Sequence, residues 1–123
     1  MNPKRECKKL VNSFKYAIEG FISSFKTERN MKIHVLAMII VIALGTFLKL
    51  DKIEWCFVTI AIVLVISAEL FNTAIETIVD MISPEKNEKA KLVKDIAAAS
   101  VLILAIGAAV IGAIIFVPKL LNI

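Results

Sequence analysis

Three apolar stretches, residues 31–50, 55–82 and 96–117, are separated by short charged segments and preceded by a mixed stretch. A hydrocarbon core of about 30 Å is crossed by about 20 helical residues, so each is long enough to span a bilayer. Before them, in residues 6–26, the period changes. Leu10, Phe14, Ala17, Ile18, Phe21 and Phe25 recur at three- and four-residue steps, with Lys8, Lys15, Glu19 and Lys26 on the opposite side. That spacing predicts an amphipathic helix lying on the membrane surface, where it anchors the chain or covers a site at the interface. The expected fold is all-α and integral to the membrane: three transmembrane helices and an N-terminal surface helix in a single domain, residues 1–123.

Composition agrees with the pattern. A chain of 123 residues that is 59% hydrophobic with a mean hydropathy of +0.81 is too apolar for a soluble domain of this size. No cleavable signal peptide is expected, because charge persists up to residue 32 before the first apolar run. Cys7 lies in the basic N-terminal segment and Cys56 at the far end of the second span, so both are expected to be free thiols.

Charge orients the chain. Of 15 Lys and Arg, eight lie at or before residue 32 and four between Pro84 and Lys94, against two in the 49–54 turn and one after the third span. The positive-inside rule puts the first two groups in the cytoplasm, with Trp55, Pro118 and Lys119 at the outer boundary. Because the basic residues flank spans, the net charge of +4 reflects topology and anionic lipid, and no nucleic-acid partner is expected. Ser83 and Pro84 end the second span, and the run EKNEKAKLVKD after them reads as a solvated connecting loop. On the third span Ala98, Ala99, Ala105, Ala108, Ala109, Gly112 and Ala113 suit close helix packing, without strict GxxxG spacing.

One segment departs from this plan. Residues 55–68 carry no charge, yet the helix continues as AELFNTAIETIVD. At about 100° per residue, Glu69, Asn72, Glu76 and Asp80 fall within about 80° of one another. Counted from Trp55 at about 1.5 Å per residue, Glu69 lies about 21 Å into the hydrocarbon, Glu76 near its cytoplasmic edge, and Asp80 in water or headgroups. Three helices cannot enclose such a stripe on all sides, so self-association is expected to bury it.

A carboxylate at the depth of Glu69 costs several kcal/mol unless paired or neutralised, which marks it as functional and as a candidate general base. Glu76 near water, with Glu28 just before the first span, offers hard oxygen ligands for Mg2+. Lys94, at the mouth of the third span, can offset charge on a transferred phosphoryl group. Phosphate transfer from Mg-ATP to a lipid hydroxyl fits this set. No Walker loop or GxGxxG is present, so a soluble-type kinase is not expected. Spacing alone leaves two other classes open: a small proton-coupled transporter or relay, and polar contacts that hold an oligomer together.

The pattern Glu69, Asn72, Thr73, Ala74, Glu76, Asp80, followed by Lys94, Asp95, Ala97 to Ser100 and Val101-Leu102-Ile103, resembles the prokaryotic diacylglycerol kinase family, which includes the undecaprenol kinases. The likeness runs from Gly20 and Glu28 through the third span. It implies a homotrimer in the bacterial plasma membrane, with active sites shared between subunits at the cytoplasmic face. It also implies Glu69 as base supported by Asn72 and Asp80, Glu28 and Glu76 as ligands of the metal that accompanies ATP, and Lys94 and Asp95 as nucleotide contacts. Tyr16, Glu85 and Lys86 match the nucleotide pocket less specifically. His34 and Trp55 fall on the lipid side with Glu69. The segment ERNMKIH, residues 28–34, looks like the undecaprenol kinase branch, the best-known diacylglycerol kinase having an acid in place of His34. Undecaprenol is therefore the expected acceptor and diacylglycerol the alternative.

Overall fold

The computed structural model describes residues 2–123. Four helices occur in chain order: α1 Pro3–Thr27, α2 Arg29–Phe47, α3 Lys52–Ile82 and α4 Glu88–Leu120. No strand occurs among the described residues. The last three helices are each long and apolar enough to cross a membrane, and the chain is a multi-pass membrane protein. α3 is the central element, with α4 along most of its length, α2 beside it, and α1 touching α2 and α3.

Local chemistry sets each boundary. Asn2 caps α1 by accepting from the Lys4 N–H at 3.0 Å, and Pro3 occupies the first turn, where a missing N–H costs nothing. One extended residue, Glu28, both ends α1 and starts α2. α2 stops three residues before the expected end of the first span because the chain turns through Lys49 at φ 55°. Asp51 then opens α3 with a capping box: its carboxylate accepts from the Glu54 N–H at 2.8 Å, and Glu54 accepts from the Asp51 N–H at 3.0 Å. This cap carries the helix start back from Trp55 to Lys52.

The largest departure from expectation is the charged run after Pro84. Only residues 83–87 are non-helical, because the Asn87 side chain accepts from the N–H groups of Lys89 and Ala90 and starts α4 at Glu88. The segment read as a loop is therefore mostly the first two turns of a helix. Lys91, Lys94 and Asp95 stand on a rod continuous with the third span.

The apolar core gathers at the end of the molecule away from the acids. Leu50, Val58, Ile115 and Phe116 are buried there, with Trp55, Leu44 and Leu48 packed against them. Gly45 makes the α2–α3 approach possible, since a Cβ at that position would meet Leu50 Cδ1 and Trp55 Cη2, each at 2.9 Å. Lys119 Nζ pairs with Glu54 at 3.1 Å at the same end. α4, with its small residues, packs along α3, and Ala105, Ala108, Ala109 and Gly112 also line an apolar groove of about 330 Å³ shared with α2 and α3.

Candidate functional site

The polar stripe of α3 survives in three dimensions and is graded from dry to wet. Glu69 is 1% exposed and Asn72 4%, Glu76 is half-buried and Asp80 exposed. The expectation that only neighbouring subunits would bury this stripe is corrected for its deep half. α3 is central, so a single chain encloses Glu69 and Asn72.

Glu69 is fully buried. Neither carboxylate oxygen has a hydrogen-bond partner. One basic side chain lies within 4 Å: His34 on α2, whose Nε2 is 3.6 Å from Glu69 Oε2. Glu28 and Glu76 are the charged neighbours whose fields reach Glu69. An unpartnered carboxyl held in a dry place lowers stability, and such groups cluster where a proton has to be moved.

Each turn of α3 above Glu69 carries a fastened group. Asn72 Nδ2 donates to Glu76 Oε1 at 3.2 Å, leaving Asn72 Oδ1 free. Thr73 Oγ1 donates to the Glu69 carbonyl at 3.0 Å and accepts from Ser24 Oγ of α1 at 3.3 Å. Ser24 is 5% exposed, so this contact holds the end of α1 beside the stripe. Sequence reasoning did not single out Ser24. The signal available was a small hydroxyl one turn before Glu28, on a helix whose apolar residues occupy other positions.

Glu28 comes directly after that anchored end. Its backbone N–H bonds the Ser24 carbonyl at 2.9 Å, while its carboxylate makes no capping bond. Among the described residues no three His, Cys, Asp or Glu side chains form a ready cation cage. Glu28 and Glu76 both lie close enough for their charges to act on Glu69, and carboxylate oxygens are the ligand type that Mg2+ takes.

Farther along, Lys94 Nζ donates to Asp80 Oδ1 and joins α3 to α4. These two line a cleft of about 540 Å³ with Glu85, Lys86, Asn87 and Lys91. Four of the residues expected at a nucleotide thus meet in one place. Asp95 does not line the cleft and pairs with Lys91 at 2.6 Å. Tyr16 is exposed on α1, 65% accessible. Trp55 sits at the opposite end of α3, in the apolar core with Leu50 and Val58, fourteen residues from Glu69. Asn87 and Lys91 were not anticipated individually, since the run containing them read as a loop. The Asn-Glu start of a helix was the available cue.

His34 also borders the apolar groove. His34 and Met38 of α2, Ala61 and Val65 of α3, and Ala108 and Gly112 of α4 line it. His34 therefore belongs both to the groove and to the surroundings of Glu69.

Residues 15–116 match the family model described as prokaryotic diacylglycerol kinase. The chain is similar to an undecaprenol kinase of Bacillus subtilis, 38% identical over 95% of each chain. It is 40% identical to a diacylglycerol kinase of Haemophilus influenzae, over 87% of this chain and 92% of that one. A diacylglycerol kinase of Synechocystis is 38% identical over 92% of this chain, which spans 65% of that longer protein.

Proposed function

The chain belongs to the prokaryotic diacylglycerol kinase family and is a lipid kinase; from that premise we propose that it transfers the γ-phosphate of Mg-ATP to undecaprenol, giving undecaprenyl phosphate. The observation that carries the proposal is Glu69, a carboxyl enclosed among apolar helices with both oxygens unpartnered, 3.6 Å from the His34 ring that lines the apolar groove and on the helix that carries Asp80 to the polar cleft.

In this reading the hydroxyl of the lipid reaches Glu69. Its proton passes to the carboxylate while its oxygen attacks the γ-phosphorus. The bond from that phosphorus to the bridging oxygen breaks, and ADP leaves. The cleft at the start of α4 takes the nucleotide, with Lys94 turned from Asp80 toward the phosphates, Asp80, Glu85 and Lys86 around it, and Asp95, next to Lys94 in the chain, joining from outside the cleft lining. Tyr16, exposed on α1, is assigned to the nucleotide with them. Glu28 and Glu76 hold Mg2+, which supplies charge compensation at the phosphates. Asn72 fastens Glu76 and supports the base. His34 lies on the lipid side with Glu69, and Trp55 marks the far apolar limit of that side.

The active site and N-terminus face the cytoplasm, an orientation supported by the basic residues near both. α1 lies along the membrane surface, which gives its exposed Leu10, Phe14 and Ile18 an apolar medium. The protein assembles as a homotrimer in the bacterial plasma membrane, with sites shared between subunits.

Undecaprenol is favoured by the ERNMKIH segment and by the alignment over 95% of both chains with a relative of that activity. Diacylglycerol is the second reading, favoured by the 40% identity to the Haemophilus protein. Purified protein given labelled ATP with both lipids in competition tests the assignment. Label in undecaprenyl phosphate is expected. Predominant label in phosphatidic acid would replace it with the second reading. Substrate movement across sealed vesicles without ATP consumption would indicate a transporter instead.

A further inference from the structure

His34 holds an unusual position. α2 presents Met31, His34, Met38, Val41 and Gly45 toward the bundle, at alternating three- and four-residue steps. Met31 is fully buried, Gly45 is buried, and the other three are half-buried. A histidine on such a face is normally tied to a carbonyl or a carboxylate. Here the partner available is Glu69 Oε2, at 3.6 Å from Nε2. No other basic group comes within 4 Å of that carboxylate among the described residues, since the remaining ion pairs all lie elsewhere.

We propose that His34 is a positioning residue: its Nε2–H holds Glu69 Oε2, so that Oε1 is presented to the hydroxyl of the lipid acceptor at the inner end of the apolar groove. The inference deepens the proposed function and rests on Glu69 being the base.

A carboxylate with two free oxygens can rotate about its last torsion and offer either one, or neither, to a substrate. A base works when a third group fixes its orientation, and errors of 1 Å in placement lower rates by about a hundredfold. The 3.6 Å separation exceeds a formed hydrogen bond by about half an ångström. Contacts of this kind in a substrate-free site close when the reacting groups arrive. The approach of His34 is also fixed by what surrounds it, because the ring lines the groove with Met38, Ala61 and Val65. His34 thus links the groove, which it lines, to Glu69, 3.6 Å from its ring and outside the groove lining, and the hydroxyl of a lipid lying in the groove has that short distance to cross.

The test uses the full-length protein in detergent micelles and exploits the fact that His34 is the only histidine. His34→Gln, which keeps a neutral N–H donor, is expected to retain kcat within about threefold of the parent. His34→Leu keeps the bulk and removes the donor. It is expected to lower kcat by ten- to a hundredfold, with KM for ATP unchanged and KM for the lipid changed less than threefold. A residue that merely fills space would leave kcat alone in His34→Leu, and one that only binds the lipid would raise KM in place of lowering kcat. Either result overturns the proposal.

The imidazole nitrogen resonances give a second measurement that does not depend on the variants at 34. In Glu69→Gln they are expected to shift, whereas in Lys119→Met, at the opposite end of the bundle, they should stay in place. Unmoved resonances in Glu69→Gln would overturn the contact itself. Failure of the underlying reading looks different: Glu69→Gln would then retain turnover, whatever the behaviour of the variants at 34.

Discussion

Lys94 and Asp80 form an ion pair across the turn between the second and third spans, with Lys94 Nζ donating to Asp80 Oδ1. The pair is too accessible to solvent to carry much of the stability of the fold, the two side chains being 37% and 63% exposed. Its importance lies in where it leaves the lysine, at the wall of the cleft formed by Glu85, Lys86 and Lys91. Lys94→Met is expected to lower kcat by about 10²- to 10³-fold, the loss typical of one preorganised charge on a developing anion, with the melting temperature unchanged. Asp80→Asn keeps the lysine but frees it, so a several-fold change in KM for ATP is expected with a smaller loss in kcat. Steady-state kinetics with thermal melts in the same detergent check both.

Glu69→Gln removes the base but keeps the size and polarity of the side chain. Lipid phosphorylation is expected to fall by about 10²- to 10⁴-fold, the range supplied by a positioned general base. Size-exclusion elution and binding of a non-hydrolysable nucleotide should both match the parent. Turnover preserved in a homogeneous sample would remove Glu69 from the mechanism.

Glu28 and Glu76 are expected to act together. Glu76→Gln should weaken nucleotide binding in the presence of Mg2+ by at least tenfold and have little effect when Mg2+ is chelated. Glu28→Gln should behave in the same way. Titration of a fluorescent ATP analogue with and without EDTA distinguishes loss of a metal ligand from general damage to the cleft. A Mg2+ titration unchanged in both variants would contradict the assignment.

Gly45 is a test of packing. A methyl group there would stand 2.9 Å from Trp55 Cη2 and from Leu50 Cδ1, which forces one of two packed side chains to move. Gly45→Ala is expected to destabilise the protein by about 1–3 kcal/mol, read as a lower melting temperature in detergent. The activity of the folded fraction should be unchanged, since this core lies at the end of the bundle away from Glu69. Trp55→Phe in the same background should recover part of the loss.

The spans and the polar stripe were legible in the sequence because period and depth are properties of one helix at a time. Glu69, Asn72, Glu76 and Asp80 share a face by arithmetic, and the structure grades their burial in the order their depth implies. Partnerships between helices were not legible. Nothing in the order of residues says that Ser24 reaches Thr73 or that His34 stops beside Glu69, because these contacts depend on how helices cross. The charged run after Pro84 misled for a related reason. Its polarity is that of a loop, but Asn87 supplies two hydrogen bonds to exposed N–H groups and makes helix the lower-energy choice.

The continuity of α4 from Glu88 onward also fixes a registration. The lysines of the first two turns and the alanines of the groove belong to one rigid shaft, so the spacing between the watery cleft and the oily channel cannot be tuned by a hinge. Inserting one residue at 84–87 leaves the shaft intact and disturbs only the cleft wall that Glu85 and Lys86 form, while inserting one between 88 and 94 turns the start of the shaft by about 100° and slides it by about 1.5 Å relative to the membrane-embedded part. Change in this enzyme is thus local within the five-residue link and indexed to whole helical turns immediately beyond it.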